Sequence, residues 1–335
     1  MAMIQHQPTL HEPTLHEPTL HEPTLHEPTL RDVADALARI QPYVHHTPTL
    51  TSRTLDDMAG TKLVFKCENF QVGGAFKARG AHNAVFSLSA DERTRGVVTH
   101  SSGNHAAALA LAARNAGTLA HVVMPHNALR AKVESVLRLG GRITYCEPNT
   151  AARELAAAKV QAETGAALVH PFDDWQVIAG QATAALELVQ DVPELTALVT
   201  PVGGGGLLAG TSVVGRHYKL HVYGAEPAEA DDAYRSFRSG QIQPLASANT
   251  IADGLRTTLG VRPFELIRNY VTDIATVTED EILQAMRLVW QVLKIVIEPS
   301  SAVPVAALLG RRFPLAGQRV GVILSGGNVD PQRLA

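Results

Sequence analysis

Cysteine is scarce in this sequence, and long apolar runs and clusters of basic residues are missing. The two cysteines among 335 residues, Cys67 and Cys146, lie in apolar strand-like runs, which indicates buried thiols rather than a disulfide framework. No apolar run approaches the roughly 20 residues that cross a bilayer, and the N-terminus lacks the basic-then-apolar order of a secretory signal. The net charge of −3, with both signs interspersed, argues against nucleic acid or an anionic membrane as a partner. We expect a cytoplasmic protein that acts on a small molecule.

A repeat occupies the N-terminus. Residues 6–30 are five copies of a pentapeptide, His-Gln-Pro-Thr-Leu once and then His-Glu-Pro-Thr-Leu four times. Proline at every fifth position removes amide donors and biases its neighbours away from the α region, so neither helix nor sheet can propagate. We predict that residues 1–30 form a disordered tail outside the fold.

The rest of the chain contains alternating strand-like and helix-like segments, and 45% of all residues are hydrophobic, enough for a sizeable core. Strand-like runs such as Val-Gly-Val-Ile-Leu are apolar on both faces, as parallel strands covered by helices must be. The predicted strands are Leu63–Glu68, Gly96–Ser101, Ala120–Met124, Arg142–Cys146, Ala167–His170, Ala197–Val202, His221–Glu226 and Arg319–Ser325. The predicted helices include Asp32–Ile40, Asn104–Ala116, Ala128–Leu139, Ala151–Glu163 and Leu207–His217. The pattern predicts an α/β fold with mostly parallel sheets.

Four turns rich in glycine, hydroxyl or carboxyl groups follow predicted strands. They are Thr99–His105, Pro201–Gly206, Gly224–Pro227 and Ser325–Asn328. In open α/β sheets, ligands bind at the carboxyl ends of strands. The shared placement of these turns therefore predicts a single pocket.

One lysine, Lys77, stands in the small-residue stretch Gly73–Ala81 and is the candidate nucleophile. Lysine acts covalently only when its amine is held unprotonated in a dry pocket or carried as a Schiff base. The small residues around it leave room for a flat ring. On its own this signal is weak, because most lysines are solvated surface charges.

Four consecutive glycines, Gly203–Gly206, open a predicted helix and can present backbone amides to a phosphate. The same segment, continued to Ala209, matches the dinucleotide fingerprint in its alanine-ended form. Glu226 then lies at about the distance of a ribose-binding acid. A NAD-dependent oxidoreductase is therefore a second hypothesis, although it leaves Lys77 and Ser325 without a role.

Seven segments, in order along the chain, together resemble the serine racemase and serine/threonine dehydratase family of pyridoxal-phosphate enzymes, which have the tryptophan synthase β-chain fold. They are Gly-Ala-Phe-Lys-Ala-Arg-Gly-Ala, Thr-His-Ser-Ser-Gly-Asn-His, Pro-Val-Gly-Gly-Gly-Gly-Leu-Leu-Ala-Gly, Ala-Glu-Pro-Ala-Glu-Ala-Asp-Asp, Ile-Ala-Asp-Gly, Val-Thr-Glu-Asp-Glu-Ile and Leu-Ser-Gly-Gly-Asn-Val-Asp. The resemblance runs from about Asp32 to Asp330. It implies a homodimer whose chains have two α/β domains: a large cofactor-binding domain of residues 31–86 and 172–335, and a small mobile domain of residues 87–171.

The resemblance also implies how the chain holds pyridoxal 5'-phosphate. Lys77 would carry the cofactor as a Schiff base with Phe76 against its ring, Asn104 would bind the phenolic oxygen, and Ser325 would face the pyridine nitrogen. The phosphate would lie against Gly203, Gly204, Gly205 and Gly206. A neutral serine hydroxyl cannot keep the pyridine nitrogen protonated as an aspartate would, which favours elimination over transamination.

The implied reaction is dehydrative deamination of a β-hydroxy amino acid of the serine or threonine type to a 2-oxo acid and ammonia. The freed Lys77 amine would remove the α-proton before the β-hydroxyl leaves. Ser102 matches the opposite-face acid/base of serine racemases, so racemisation is the alternative activity. The substrate contacts implied by the family are Ser101, Asn104, His105 and Arg153.

The resemblance implies a structural divalent cation at Glu226, the Ala230 carbonyl and Asp232. Two carboxylates and a carbonyl, completed by water, suit Mg²⁺ or Ca²⁺. A solvated acidic helix start is the alternative, because Asp and Glu are favoured at helix N-termini in any case.

Four departures from the family pattern bear on specificity and regulation. Gly73–Lys77 replaces Thr-Gly-Ser-Phe-Lys, and Ser300-Ser301 stands where small Gly or Ala is common. Asn-His-Ala-Ala replaces Asn-His-Gly-Gln, a segment linked to nucleotide activation, so activation by ATP is not implied. Phe172 stands where mammalian-type serine racemases have asparagine, and its apolar surface suggests that phenylserine is accepted beside serine, threonine and hydroxyaspartate.

Overall fold

A computed structural model describes residues 26–245 and 248–330, which form ten strands and thirteen helices of more than one turn. The strands are β1 (Thr49–Thr51), β2 (Lys62–Cys67), β3 (Val97–His100), β4 (Ala120–Pro125), β5 (Arg142–Cys146), β6 (Ala167–Leu168), β7 (Ala197–Pro201), β8 (His221–Pro227), β9 (Asp273–Val277) and β10 (Arg319–Leu324). The helices are α1 (Leu30–Ile40), α2 (Arg53–Ala59), α3 (Lys77–Ser87), α4 (Ala90–Arg95), α5 (Asn104–Asn115), α6 (Arg130–Arg138), α7 (Thr150–Thr164), α8 (Trp175–Asp191), α9 (Gly206–Tyr218), α10 (Asp232–Ser239), α11 (Val261–Tyr270), α12 (Glu279–Leu293) and α13 (Pro299–Leu309).

Two sheets organise these elements. A six-stranded sheet has the order β1-β2-β10-β7-β8-β9 and is parallel except for β1, which pairs antiparallel with β2. A four-stranded, fully parallel sheet has the order β5-β4-β3-β6 and is built from residues 97–168. The expected α/β fold with two domains and mostly parallel sheets is confirmed, whereas the domain limits at residues 87 and 171 stay a prediction. No helix among residues 26–245 and 248–330 is long and apolar enough to cross a bilayer.

The six-stranded sheet is buried on both faces, which accounts for its continuously apolar strands. Successive residues of a strand point to opposite faces. Val64, Leu198 and Val222 pack in the core with α8 and α9. Their neighbours Phe65, Val199 and Tyr223 pack on the other side with α12 and α13.

The first described helix begins inside the last pentapeptide repeat. Thr29 is the N-cap of α1: its hydroxyl accepts from the Asp32 amide, and the Asp32 carboxylate accepts from the Thr29 amide at 2.8 Å, which makes a capping box. Thr29 and Leu30 therefore belong to the folded part, and the boundary predicted after residue 30 is too late. Residues 1–25 of the predicted tail lie outside the described residues.

A buried ionic cluster fixes the helix that begins at Lys77. Arg79 is fully buried and donates to the Glu68 carboxylate at 2.8 and 2.9 Å and to the Glu187 carboxylate at 2.7 and 2.8 Å. Glu187 also pairs with the buried Lys66 at 2.7 Å. Because Glu68 follows β2, Glu187 lies on α8 and Lys66 on β2, the guanidinium holds α3 against a strand and a helix at once.

Replacing Arg79 by methionine should destabilise the protein by about 3–5 kcal/mol, because the buried Glu68 loses its cationic partner and Glu187 keeps only Lys66. Arg238→Met is the matched control. It breaks a 2.7 Å pair with Asp273 that is half exposed to water, so it should cost less than about 1 kcal/mol. Urea unfolding followed by circular dichroism measures both, and similar midpoints for the two variants would contradict this interpretation.

Candidate active site

The loop before α3 is attached to the end of β10. The Phe76 amide donates to the Ser325 carbonyl at 3.0 Å, and Ala75 pairs with Gly326 as an isolated antiparallel bridge. Gly73 and Gly74 have φ of 72° and 74°, a conformation open to glycine but strained for other residues. A Cβ on Gly74 would lie 2.4 Å from the Asn328 Oδ1. The two glycines thus let the loop meet the β10 turn.

Lys77 is the first residue of α3, and protein atoms enclose its amine, although the residue as a whole is only half-buried. Its Nζ donates to the Pro171 carbonyl at 2.7 Å and lies 5.1 Å from the centre of the Phe76 ring. Burial lowers the pKa of Lys77 to about 8, while the nearby Glu298 carboxylate opposes this shift. An amine with such a pKa is partly unprotonated near neutral pH, as a reactive lysine requires.

The loop after Pro171 links this lysine to the four glycines. The ring of Phe172 packs on Gly204, where an added Cβ would lie only 2.3 Å from it, and the Cβ and Cα of Phe172 lie next to Gly206. Phe172 also meets His170 edge to face, with centroids 4.6 Å apart. The aromatic surface predicted at residue 172 is therefore used, at least in part, to cover the glycine loop.

The glycine loop connects β7 to α9 and is buried throughout. Gly205, the N-cap of α9, has φ of 88°. Within residues 26–245 and 248–330, no group accepts a hydrogen bond from the amides of Gly203, Gly204 or Gly205. Unpaired buried amides at a helix N-terminus fit an anionic group such as a phosphate.

Asn104 is the first residue of α5, and both the nitrogen and the oxygen of its side-chain amide are hydrogen-bonded. Its Nδ2 donates to the two carboxylate oxygens of Glu298 at 2.9 and 3.2 Å, and its Oδ1 accepts from Asn328 Nδ2 at 3.1 Å. Asn328 Nδ2 also donates to the Gly73 carbonyl at 2.7 Å. The structure thus brings Asn104 next to the lysine loop, as expected for one pocket.

Ser325 lies at the end of β10 and is buried. Its Oγ is 3.1 Å from Ser301 Oγ, and Ser301 donates in turn to the Gly326 carbonyl at 2.7 Å. Because Ser301 has a single proton, which it gives to a carbonyl, Ser325 is the donor to Ser301. The role of Ser325 opposite a ring nitrogen stays a prediction.

The residues expected to contact substrate lie on two separate elements, the turn after β3 and the helix α7. Ser101 and Ser102 lie in the turn between β3 and α5, where Ser101 Oγ accepts from the Gly103 amide at 3.3 Å. Arg153 contacts its own helix start, with Nη2 3.4 Å from Thr150 Oγ1, and its charge helps to lower the pKa of His100, which burial lowers most. Among the described residues, the hydrogen bonds of Arg153 go to its own helix start and none joins it to the β3 turn.

The His105 side chain is directed towards the Val169 carbonyl. Its Nε2 lies 3.3 Å from the Val169 carbonyl, so this nitrogen carries the proton, and the buried Nδ1 has no partner among the described residues. Burial, and then the Lys77 charge, lower the pKa of His105 well below its ordinary value, so the ring is neutral. Any carboxylate at His105 would have to bind its backbone amide at the start of α5.

The expected cation residues lie together at the end of β8. Glu226 and Asp232 are fully buried, and Ala230 lies between them in a short turn. Burial and the Asp232 charge raise the pKa of Glu226 well above its ordinary value, and burial raises the pKa of Asp232 to about 6. Asp232 Oδ1 has no hydrogen-bond partner in the described chain. Two buried carboxyls with an unpaired oxygen fit a cation, although the described residues contain no cluster of three or more His, Cys, Asp or Glu side chains.

Sequence reasoning gave no individual role to three residues that organise the pocket, although Asn328 lies in one of the predicted pocket turns. Glu298 is the buried partner of Asn104, Asn328 bridges Asn104 and the lysine loop, and Asp253 pairs with Lys132 at 2.6 Å. The only signal for Glu298 was a single acid at the end of an apolar run, Ile-Val-Ile-Glu-Pro. A charge in such a position is expected to be paired or functional when buried.

With the geometry in place, the chain can be assigned to a family. Residues 40–326 match the family model described as pyridoxal-phosphate dependent enzyme. The chain belongs to this family, and the nicotinamide hypothesis is thereby set aside.

Individual members of the family are similar to this protein over most of its length. The chain is 50% identical over 305 residues to a β-hydroxyaspartate dehydratase of Paracoccus denitrificans, covering 90% of this chain and 97% of the relative. It is 46% identical to the serine racemase of Arabidopsis thaliana, covering 89% and 92%. Among solved structures, maize serine racemase matches with a TM-score of 0.90 and 43% identity, covering 92% of this chain and 96% of that one.

Replacing Lys77 by methionine should stabilise the cofactor-free protein at pH 7. The gain is roughly 2 kcal/mol: ~3 kcal/mol for the pKa lowered from 10.5 to about 8, less ~1 kcal/mol for the lost hydrogen bond to Pro171. Between these two pKa values the folded wild type binds fewer protons than the unfolded chain, so the stability of the wild type should rise from pH 8 upward. The difference in free energy of unfolding between the two proteins should therefore become smaller.

Thermal unfolding at pH 7 and pH 9.5 measures this difference. Lys159→Met serves as the control, since Lys159 is 74% exposed and should show no such pH-dependent gap. A Lys77→Met protein less stable than the wild type at pH 7 would contradict the enclosed, shifted amine.

Proposed function

We propose that this protein is a pyridoxal-phosphate-dependent dehydratase that converts a β-hydroxy amino acid to a 2-oxo acid and ammonia. The observation that carries the proposal is an enclosed lysine with a lowered pKa in the same pocket as a buried glycine loop with unpaired amides. The 50% identity to a β-hydroxyaspartate dehydratase supports the reaction class.

Five groups of this chain would hold the cofactor. Lys77 Nζ would bind its aldehyde carbon, and the amides at Gly203–Gly206 its phosphate. Asn104 would donate to its phenolic oxygen, Ser325 would face the ring nitrogen, and Phe76 would lie against the ring. When bound, pyridoxal phosphate supplies an electron-accepting ring that stabilises negative charge at the substrate's α-carbon.

Lys77 is also suited to move the substrate's α-proton. Once its amine is released, Nζ can accept that proton, because burial has lowered its pKa to about 8. The enclosed position keeps water from competing for the carbanion. Loss of the β-hydroxyl as water, followed by hydrolysis of the resulting enamine, gives the 2-oxo acid and ammonia.

We propose that the substrate's α-carboxylate binds at the start of α5. The Ser101 hydroxyl and the backbone amides of Asn104 and His105 meet there, and the helix N-terminus favours an anion. Arg153, whose charge acts on His100 in the adjoining strand end, would pair with a second carboxylate. We therefore rank β-hydroxyaspartate first among substrates, ahead of serine and threonine. Phenylserine stays a prediction that rests on Phe172.

Racemisation is the second candidate activity. It is supported by the serine racemases among the relatives and by Ser102 in the turn that follows β3, on which an opposite-face proton transfer would depend. A homodimer and a cytoplasmic location also remain predictions.

We further propose a structural Mg²⁺ or Ca²⁺ at Glu226, Ala230 and Asp232. Support comes from the unpaired Asp232 Oδ1 and from the raised pKa values of both carboxyls. The second oxygen of Asp232 accepts from the Leu259 amide at 2.8 Å, and the next residue, Gly260, donates to the Gly204 carbonyl at 3.2 Å. A cation bound to Asp232 would therefore be connected to the glycine loop through Leu259 and Gly260.

The dehydratase proposal predicts equal amounts of 2-oxo acid and ammonia from β-hydroxyaspartate, and less from serine, threonine and phenylserine. Lys77→Ala should abolish turnover, whereas Lys159→Ala should leave it unchanged. Borohydride should bleach the visible absorbance of the wild type and leave a pyridoxyl mass on residue 77.

Chiral chromatography of the same reactions measures racemisation. Interconversion of enantiomers without formation of 2-oxo acid would favour the racemase instead.

The cation proposal predicts a stabilisation that depends on pH. Both carboxyl pKa values are raised, so the cation-free folded state binds extra protons at low pH and loses that stability as the pH rises through about 6. Millimolar Mg²⁺ or Ca²⁺ should therefore raise the melting temperature of chelated protein by about 5 °C at pH 7.5 and hardly at all at pH 5. Asp232→Asn should remove the response, and a wild type that ignores both cations at pH 7.5 would refute the site.

A further inference from the structure

Glu298 is a buried carboxyl whose presence stability alone does not explain. It is 3% exposed and precedes α13, and no described residue forms an ion pair with it. Burial raises the pKa of Glu298 to about 7, with Asp253 adding to the rise and Asn104 opposing it. An unpaired buried acid is costly, and a glutamine of the same shape would avoid that cost.

Among the described side chains, that of Asn104 is the one that donates hydrogen bonds to the Glu298 carboxylate, which also interacts with the Asn328 backbone amide. Both carboxylate oxygens accept from Asn104 Nδ2, at 2.9 and 3.2 Å. The ionised form of Glu298, which predominates above pH 7, can only accept, so it dictates that the nitrogen end of Asn104 faces Glu298. Asn328 reinforces this orientation by donating to Asn104 Oδ1 at 3.1 Å. An amide nitrogen has two protons, and Glu298 takes one of them, which leaves the other for a ligand oxygen.

Three charged groups face Glu298 from neighbouring elements. Lys77 on α3 is close enough for the carboxylate to raise the pKa of the lysine. Asp253, from the turn Asp253–Leu255, and Lys132 on α6 form their own 2.6 Å pair beside it. These groups act on Glu298 through space, whereas the Asn104 side chain donates hydrogen bonds to its carboxylate.

We infer that Glu298 is a positioning residue that fixes the orientation of the Asn104 amide so that it donates to the phenolic oxygen of the cofactor. The inference rests on the proposed function, because it takes Asn104 to be a cofactor contact. A glutamine at position 298 could offer either its oxygen or its nitrogen to Asn104, and the amide of Asn104 would then turn over freely between a donating and an accepting orientation.

The test measures how fast diluted holoenzyme loses its visible absorbance at a pH of about 8.5, where Glu298 is ionised. The proteins compared are the wild type, Glu298→Gln, Asn104→Ala and the double variant. Glu298→Gln should release cofactor about tenfold faster than the wild type and should shift the absorbance maximum, because the bond to the phenolic oxygen is weakened. If Glu298 acts through Asn104, the double variant should release cofactor no faster than Asn104→Ala alone. Glu163→Gln is the matched control, since it makes the same change of side chain at a position on α7 that is 61% exposed, and its release rate should stay within about twofold of the wild type.

Two results would overturn the inference. One is a Glu298→Gln variant that releases cofactor at the wild-type rate. The other is a double variant whose release rate is raised by the product of the two single-variant factors. Should Glu298→Gln not fold, Glu298→Asp must show the acceleration instead, because it keeps the charge but withdraws it from Asn104. Failure of the proposed function is distinguishable: borohydride would then leave residue 77 unmodified even in the wild type. An adduct on Lys77 together with an inert Glu298→Gln would reject only the role of Glu298.

Discussion

The hydrogen-bonded cluster around Arg79 is the constraint on which the site depends. Lys77 is placed two residues before it on the same helix, so the guanidinium that is clamped between Glu68 and Glu187 also fixes where the reactive amine emerges. A cation buried between two carboxylates satisfies its donors in only one arrangement. Such a cluster adds little net stability compared with apolar residues, but it fixes the position of α3 relative to β2 and α8.

Around this helix the pocket is assembled from short contacts between distant parts of the chain. Backbone hydrogen bonds join the lysine loop to the β10 turn, Asn328 joins that turn to α5, and Glu298 joins α5 to α13. Lys132 and Asp253 form a contact between the four-stranded unit and the larger one. Because α5 belongs to the four-stranded unit, a relative movement of the two units would act directly on the amide of Asn104. Binding of a ligand oxygen there would in turn favour the arrangement in which these contacts are made.

Much of the architecture could be predicted from sequence, because parallel strands buried on both faces leave a continuous apolar signature. The prediction failed for β1, which has three residues, and for β9, whose alternating Asp-Ile-Ala-Thr-Val looks half-polar because it is an edge strand. The lysine and the glycine loop were visible because few other uses explain such residues. Glu298 and Asn328 were not, since their importance arises only when segments more than 190 residues apart in the chain meet at Asn104. The direction of the His105 ring was equally hidden, because a sequence names a residue but not which of its groups faces the pocket.

The start of α1 within the last repeat has an evolutionary consequence. Every copy ends in Thr-Leu, and the residues that complete the cap, Arg31 and Asp32, lie beyond the repeat. Gain or loss of a whole copy, as happens when tandem DNA repeats slip during replication, would bring an identical threonine to the same place before Asp32. The N-terminal extension can therefore change length in steps of five residues while the first helix keeps the same beginning.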